Sequence, residues 1–159
     1  SAFNIPSIAI FGDNLVYGID GHQGLPEERE YGDEYDYDFG AAYLFDLKTG
    51  ELDFRLFGSR KSPGDLFGHS VAISDKYIAV GAPGDGPHRG GGNLGEVYVF
   101  DRLSGKELAY LTGPESNVAD EFGKSIALSE KFLAIGAPSS FMHSAPGKTY
   151  IYSLSKLGL

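Results

Sequence analysis

One stretch of the sequence occurs twice, first as Phe67-Gly68-His69-Ser70-Val71-Ala72-Ile73 and, 55 residues later, as Phe122-Gly123-Lys124-Ser125-Ile126-Ala127-Leu128. A second stretch, Ile78-Ala79-Val80-Gly81-Ala82-Pro83, recurs at the same offset as Leu133-Ala134-Ile135-Gly136-Ala137-Pro138. A worn third copy near the start keeps the eleven-residue spacing of the other two, from Ser7 to Gly18. Self-similarity at a fixed spacing is typical of repeat architectures. The sequence therefore predicts three tandem copies of one structural unit.

Each unit has the pattern of four short antiparallel strands. The first two apolar runs of the middle unit are separated only by Ser74-Asp75-Lys76, which is a hairpin-length connection. A third run centres on Tyr98-Val99-Phe100 and is followed by the turn Asp101-Arg102-Leu103-Ser104-Gly105 and a fourth run. Abundant glycine (23 residues) and aromatic side chains (13%) favour strands and turns over helices.

The repeated landmarks resemble those of the FG-GAP repeat family, which forms the blades of the integrin alpha-chain N-terminal β-propeller. The residues that carry the resemblance are Asp120-Glu121-Phe122-Gly123, Gly136-Ala137-Pro138 and the closing aromatic strand, together with their copies. It implies an all-β fold of about three four-stranded antiparallel blades, the last incomplete because few residues follow Tyr152. We expect one domain over 1–159, with blades at about 3–57, 66–112 and 121–153.

Three blades are fewer than the four to eight that close a propeller. Three explanations stay open. The chain is a piece of a longer propeller, or two copies complete a ring together, or the strands adopt another all-β arrangement. In either of the first two cases, blades outside this sequence would cover the faces that an open stack leaves in water.

Composition and charge limit the classes of function. The 159 residues suffice for one domain, and the absence of cysteine excludes disulfides, thiolate metal sites and cysteine nucleophiles. No apolar run is long enough to span a membrane. The net charge of -9 arises in residues 1–54, which carry twelve carboxylates against two basic residues. Because phosphate backbones would be repelled there, nucleic acid is not expected as a partner.

The acidic charge is concentrated in an insertion at 20–39 within the first unit. Gly18 to Tyr43 spans 25 residues, against 17 and 14 in the later units. Repeat proteins often bind their partners through such insertions. Its carboxylates alternate with aromatic rings, so we expect it to bind a protein or a carbohydrate through Glu30, Tyr31, Tyr35 and Tyr37. The same segment could bind calcium, with Asp33, Glu34 and Asp36 as the ligands.

The usual calcium site of the family does not carry over to this chain. The resemblance implies an Asp-rich loop between the first and second strands, but here the connections are Phe11-Gly12-Asp13-Asn14, Ser74-Asp75-Lys76 and Ser129-Glu130-Lys131. Each is too short and too poor in oxygen ligands to surround an ion that needs six to eight. The sequence therefore predicts no cofactor at these hairpins, and calcium only in the acidic insertion.

No catalytic set is recognisable in the sequence. Gly68-His69-Ser70 is similar to a nucleophile elbow, but that motif requires a strand-to-helix turn, and this serine begins a strand and has copies at Ser7 and Ser125. We expect the repeated serine to bond the backbone. His22, His88 and His143 fall in the same class of loop and could share one rim of a ring.

These observations predict a non-catalytic binding or adhesion module, located outside the cell or at its surface as the family resemblance implies. The alternative is a structural subunit that self-associates into rings or filaments through edge strands and blade contacts. An enzyme that uses a central channel is a third interpretation, for which no residues can be named.

Overall fold

The computed structural model describes residues 6–20, 40–60, 64–84, 95–114, 121–138 and 146–159. Eleven β-strands and one short 3-10 helix, Leu154–Leu157, occupy these ranges. The strands are β1 Pro6–Phe11, β2 Asn14–Ile19, β3 Ala41–Asp46, β4 Leu52–Leu56, β5 Ser70–Ile73, β6 Tyr77–Ala82, β7 Glu96–Asp101, β8 Glu107–Thr112, β9 Ser125–Leu128, β10 Phe132–Ala137 and β11 Lys148–Ser153.

The strands form three antiparallel sheets in chain order. Blade 1 contains β1–β4, blade 2 contains β5–β8, and blade 3 contains β9–β11, with each strand paired to the next along the chain. The expected all-β class is confirmed, as is a third sheet that has three strands in the part of the chain the structure describes. The 3-10 helix follows β11 directly.

Tight turns with the same chemistry in successive blades set the strand order. In the turn after β3, Asp46 Oδ1 accepts hydrogen bonds from the backbone N–H groups of Lys48 (2.7 Å) and Thr49 (3.2 Å). After β7, Asp101 Oδ1 accepts from both Ser104 N and Ser104 Oγ at 2.7 Å. The Ser104 hydroxyl, followed by its backbone N–H, lowers the pKa of Asp101 below its ordinary value. Carboxylate-closed turns of this kind favour antiparallel neighbours.

Apolar side chains fill two layers between the sheets. One core lies between blades 1 and 2, and the other lies between blades 2 and 3. On β5, Val71 and Ile73 point into the first core, while Val97 and Val99 of β7 point into the second. Blade 2 therefore buries both of its faces, which explains why its strands are apolar almost throughout.

Blades 1 and 3 each have one outer face without a neighbouring sheet among the described residues. Ile8 and Ile10 are about two-thirds exposed on the outer face of blade 1. Phe132 and Ile151 are 52% and 70% exposed on that of blade 3. Within the described ranges, the stack is thus open on the outer faces of blades 1 and 3, which is consistent with propeller-type blades. No helix within the described ranges is long and apolar enough to cross a membrane.

Candidate functional site

The Phe-Gly corner is the feature that joins one blade to the blade before it. Gly68 and Gly123 adopt φ values of +90° and +92°, which favour glycine. A Cβ on Gly123 would lie 2.6 Å from the carbonyl oxygen of Glu96 in blade 2, and one on Gly68 would collide with the carbonyl oxygen of Ala41 in blade 1. Only glycine therefore allows the backbone of one blade to approach the next so closely.

A serine and a glycine in the preceding blade receive this corner. Ser7 Oγ donates to the carbonyl oxygen of Gly68 at 2.8 Å, and Ser70 Oγ donates to that of Gly123 at 2.7 Å. Each serine pairs in register with a glycine of the adjacent strand. We call each serine–glycine pair a cradle, and the three cradles are Ser7/Gly18, Ser70/Gly81 and Ser125/Gly136. The prediction that the repeated serine bonds the backbone is confirmed for Ser7 and Ser70.

The residue before each corner phenylalanine takes an unusual backbone conformation. Leu66 and Glu121 both have positive φ, at 56° and 48°. In each case the resulting turn is closed by a backbone hydrogen bond of 3.0 Å, to Leu66 O from His69 N and to Glu121 O from Lys124 N. Because such conformations cost free energy in non-glycine residues, the surrounding contacts must hold them. Sequence reasoning missed these two positions, since neither residue type signals a left-handed turn.

A hydrogen bond joins blades 1 and 2 beside the first corner. His69 Nδ1 lies 2.5 Å from Asp20 Oδ2, and both side chains are largely buried. The equivalent of His69 in blade 3 is Lys124, whose ammonium group instead contacts Glu121 of its own blade at 3.4 Å. His69 therefore bonds to Asp20, while the adjacent Ser70 hydroxyl is committed to the Gly123 carbonyl. The arrangement is that of a structural contact and not of a nucleophile with its base.

The predicted binding residues lie outside the described residues. These are Glu30, Tyr31, Tyr35 and Tyr37, and the possible metal ligands Asp33, Glu34 and Asp36. What the structure does describe is where the insertion leaves and rejoins the fold. Ile19 at the end of β2 pairs with Ala41 at the start of β3, and Gly40 bridges to Phe67 of the corner. Both ends of the acidic segment are therefore fixed at one end of blade 1, next to the contact with blade 2.

The connections between second and third strands leave from equivalent positions in all three blades. Ala82 pairs with Glu96 in blade 2, and Ala137 pairs with Lys148 in blade 3, as Ile19 pairs with Ala41. His22, His88 and His143 belong to these connections but lie outside the described ranges, so their shared rim stays a prediction.

A guanidinium group connects the hairpins between the first and second strands of blades 1 and 2. In the FG-GAP family the calcium loops lie at this position. Arg102 donates from Nη1 to Asn14 Oδ1 and from Nε to the carbonyl oxygen of Asp75, both at 2.5 Å. The carboxylate of Glu130 in blade 3 accepts from Asp75 N at 3.1 Å, which extends the chain of contacts across all three blades. Within the described ranges, no group of three or more His, Asp or Glu residues could hold a metal ion.

A partly buried carboxylate holds two tyrosines together on blade 2. Glu96 accepts hydrogen bonds of 2.6 Å from the hydroxyl groups of both Tyr98 and Tyr110. Burial, followed by the bond to Glu96, raises the pKa of Tyr110 to about 12, and the same causes raise the pKa of Tyr98. Arg60 stacks over the Tyr110 ring at 5.0 Å. Both phenols stay protonated at neutral pH, and their bonds to Glu96 connect β7 with β8.

Comparison with known proteins gives one positive finding. The family model for the FG-GAP repeat matches residues 54–100, which run from β4 through β7 and include the first Phe-Gly corner and Gly81-Ala82-Pro83. No curated protein matches the chain. The match confirms the expected resemblance to the FG-GAP repeat family over residues 54–100, and the three stacked antiparallel sheets are consistent with the blades of a β-propeller-type module.

Proposed function

We propose that this chain is a non-catalytic binding or adhesion module that acts outside the cell or at its surface. FG-GAP repeats are generally non-catalytic and are typical of extracellular proteins, which supports this class of function. In this proposal the stacked blades are a rigid support, and the acidic insertion is the contact surface for a protein or carbohydrate ligand.

The observation that carries the proposal is the way the ends of the insertion are held. A long segment whose two ends are paired at Ile19 and Ala41 loses less conformational entropy on binding than a free tail. It also carries most of the negative charge of residues 1–54, and that field attracts cationic surfaces. The alternating tyrosines add ring faces that can stack on sugars or on arginine side chains.

Two loop variants test the proposal. In the first, the six carboxylates within 27–36 become amides, and in the second Tyr31, Tyr35 and Tyr37 become serine. Binding is measured against immobilised basic extracellular proteins and neutral glycans. We expect the amide variant to lose on the order of tenfold in affinity for a basic protein. Loss of binding to a neutral glycan with the serine variant alone would identify a carbohydrate ligand.

A matched control neutralises Glu51 and Asp53, which are exposed carboxylates of blade 1 outside the insertion. Wild-type binding by both loop variants would overturn the proposed role of the insertion. Calcium is tested separately by thermal unfolding with the ion and with a chelator. If Asp33, Glu34 and Asp36 bind calcium, the midpoint rises in the parent chain and not in the amide variant.

A second candidate function is the structural subunit. It is favoured by the two exposed apolar faces, on blade 1 around Ile8 and Ile10 and on blade 3 around Phe132 and Ile151. Such faces in contact with water favour association. This function predicts that the sedimentation coefficient rises with protein concentration, and identical sedimentation of dilute and concentrated samples would exclude it.

A further inference from the structure

The outer face of blade 3 repeats a surface that blades 1 and 2 each bury. Ala42 and Leu44 of β3, and Val97 and Val99 of β7, are at most 2% exposed because the next blade covers them. The register places Thr149 and Ile151 of β11 at the same positions. Ile151 is nevertheless 70% exposed. The face has the composition of a blade interface, but no blade among the described residues covers it.

The third cradle repeats the geometry of the other two. Ser125 pairs with Gly136 in the register of Ser7 with Gly18 and of Ser70 with Gly81. A Cβ on Gly136 would meet Ser125 Oγ, as one on Gly81 would meet Ser70 Oγ. Together with Ala127, Ala134 and Thr149 the third cradle lines a cleft of about 260 Å³. In the other two blades the serine hydroxyl at this place bonds a corner glycine.

The occupant must carry glycine at the corner. In both intrachain contacts this residue has a φ near +90° and no room for a Cβ. In a second copy of this chain, alignment on Ser7 puts Asn4 and Ile5 where the corner has phenylalanine and glycine. A β-branched residue is strongly disfavoured at positive φ. The start of a second copy therefore cannot reproduce the corner.

We propose that the outer face of blade 3 binds the Phe-Gly corner of a further FG-GAP-type blade that is not contained in this sequence. The corner glycine carbonyl accepts a hydrogen bond from Ser125 Oγ, and the apolar side chains of the incoming sheet cover Ile151. This inference competes with self-association at the face of blade 3 and is independent of any ligand of the acidic insertion.

A single thiol reports on whether the face is covered. Because the chain contains no cysteine, Ile151→Cys supplies the sole reactive thiol, at a position where blade 2 carries the fully buried Val99. The full chain is compared with a chain extended after Leu159 by a second copy of residues 115–159, which brings its own Phe-Gly corner. We expect labelling by a thiol reagent to be at least about tenfold slower in the extended chain, because the tether gives a high effective concentration.

The control places the thiol at Leu103, which is 75% exposed in the turn after β7. Its labelling rate should be the same with and without the extension. A second extension carries isoleucine in place of its corner glycine, so that it imitates Ile5, and should leave Ile151→Cys unprotected. Ser125→Ala in the chain with the glycine-bearing extension should reduce the protection about fivefold, the equivalent of one hydrogen bond.

Each other outcome overturns the proposal. Equal protection by the glycine and isoleucine extensions would exclude the corner as the element recognised. If neither extension protects the thiol, docking is excluded. This holds even if hydrogen exchange shows that the added copy is unfolded. The added copy has the sequence of blade 3, which folds against the equivalent face of blade 2, so it should fold on blade 3 if docking occurs. Protection of the unextended chain that grows with concentration would assign the face to a second copy. In that last case the structural-subunit function would stand and this inference would fail.

Discussion

Ser70 and Ser125 occupy the same position in blades 2 and 3 but differ in what their hydroxyl groups contact. Ser70 is buried and donates to the Gly123 carbonyl, whereas Ser125 is exposed on the open face. Ser70→Ala should lower the free energy of unfolding by about 1–3 kcal/mol, because it leaves a carbonyl at the interface without its hydrogen-bond donor. Ser125→Ala should cost less than about 0.5 kcal/mol. Urea unfolding of the two variants measures both values, and equal losses would contradict the interface role of Ser70.

The Glu96 cluster makes stability fall at high pH. Since the fold raises the pKa of Tyr110 to about 12, the unfolded chain releases this phenolic proton first as pH rises past its ordinary value near 10. The contribution of Tyr110 is therefore complete below about pH 10 and is lost between about pH 10 and 12. Absorbance titration of the phenols should show a late component that decreases by the absorbance of one phenol in Tyr110→Phe, while the contribution of Tyr98 remains.

Glu96→Gln is the matched variant for this titration. It removes the carboxylate that accepts from Tyr110 but leaves the tyrosine partly buried, so the late component should move to lower pH without vanishing. A titration curve above pH 11 that is the same in Tyr110→Phe as in the parent chain would show that this phenol ionises normally.

At the scale of elements, the hairpins of different blades are connected through one side chain. Arg102 bonds Asn14 of blade 1 and the backbone of Asp75, and its side chain is only 18% exposed. Arg102→Ala should destabilise the chain by about 2 kcal/mol, since two charge-assisted bonds are lost, of which the one to Asn14 is partly buried. Arg102→Lys should restore only part of the loss, because an ammonium group lacks the planar fork.

Lys48 provides the comparison for Arg102 in the same denaturation experiment. It also pairs with a hairpin residue, Asp13, at 2.6 Å, but both side chains are more than half exposed. Exposed pairs add little to stability because water and salt screen them. Lys48→Ala should therefore leave the unfolding midpoint unchanged. Equal effects of Arg102→Ala and Lys48→Ala would mean that the contact between blades contributes nothing.

The strands could be predicted because their signals are local. The spacing from Ser70 to Gly81 fixes a hairpin, and the structure pairs these two residues directly. The contact of Arg102 with Asn14 could not be predicted, since it joins residues 88 positions apart and depends on how the sheets stack. The role of Glu96 could not be predicted either, because the sequence does not show that the hydroxyl groups of Tyr98 and Tyr110 both reach its carboxylate. The predicted residues of the acidic insertion lie outside the described ranges and stay predictions.

At the scale of the whole molecule, the stack predicts a gradient of local stability. Blade 2 is covered on both faces, while blades 1 and 3 are each covered on one. In a linear stack, each unit is stabilised mainly by its immediate neighbours. Native-state hydrogen exchange should therefore be slowest in β5–β7 and faster in β1 and in β9–β11, whose amides open without global unfolding.

Gly123→Ala should act selectively on the blade 2–blade 3 contact. The new Cβ would lie 2.6 Å from Glu96 O, and alanine is strained at a φ of +92°. Together these effects should lower the free energy of separating blade 3 from blade 2 by about 2–4 kcal/mol. Exchange should therefore accelerate in β9–β11 far more than in β2 and β3. Gly12→Ala is the control, because its φ is also positive but nothing lies within 4 Å of the added Cβ. If Gly123→Ala accelerated exchange equally in all three blades, the stack would unfold as one cooperative unit and the nearest-neighbour description would be wrong.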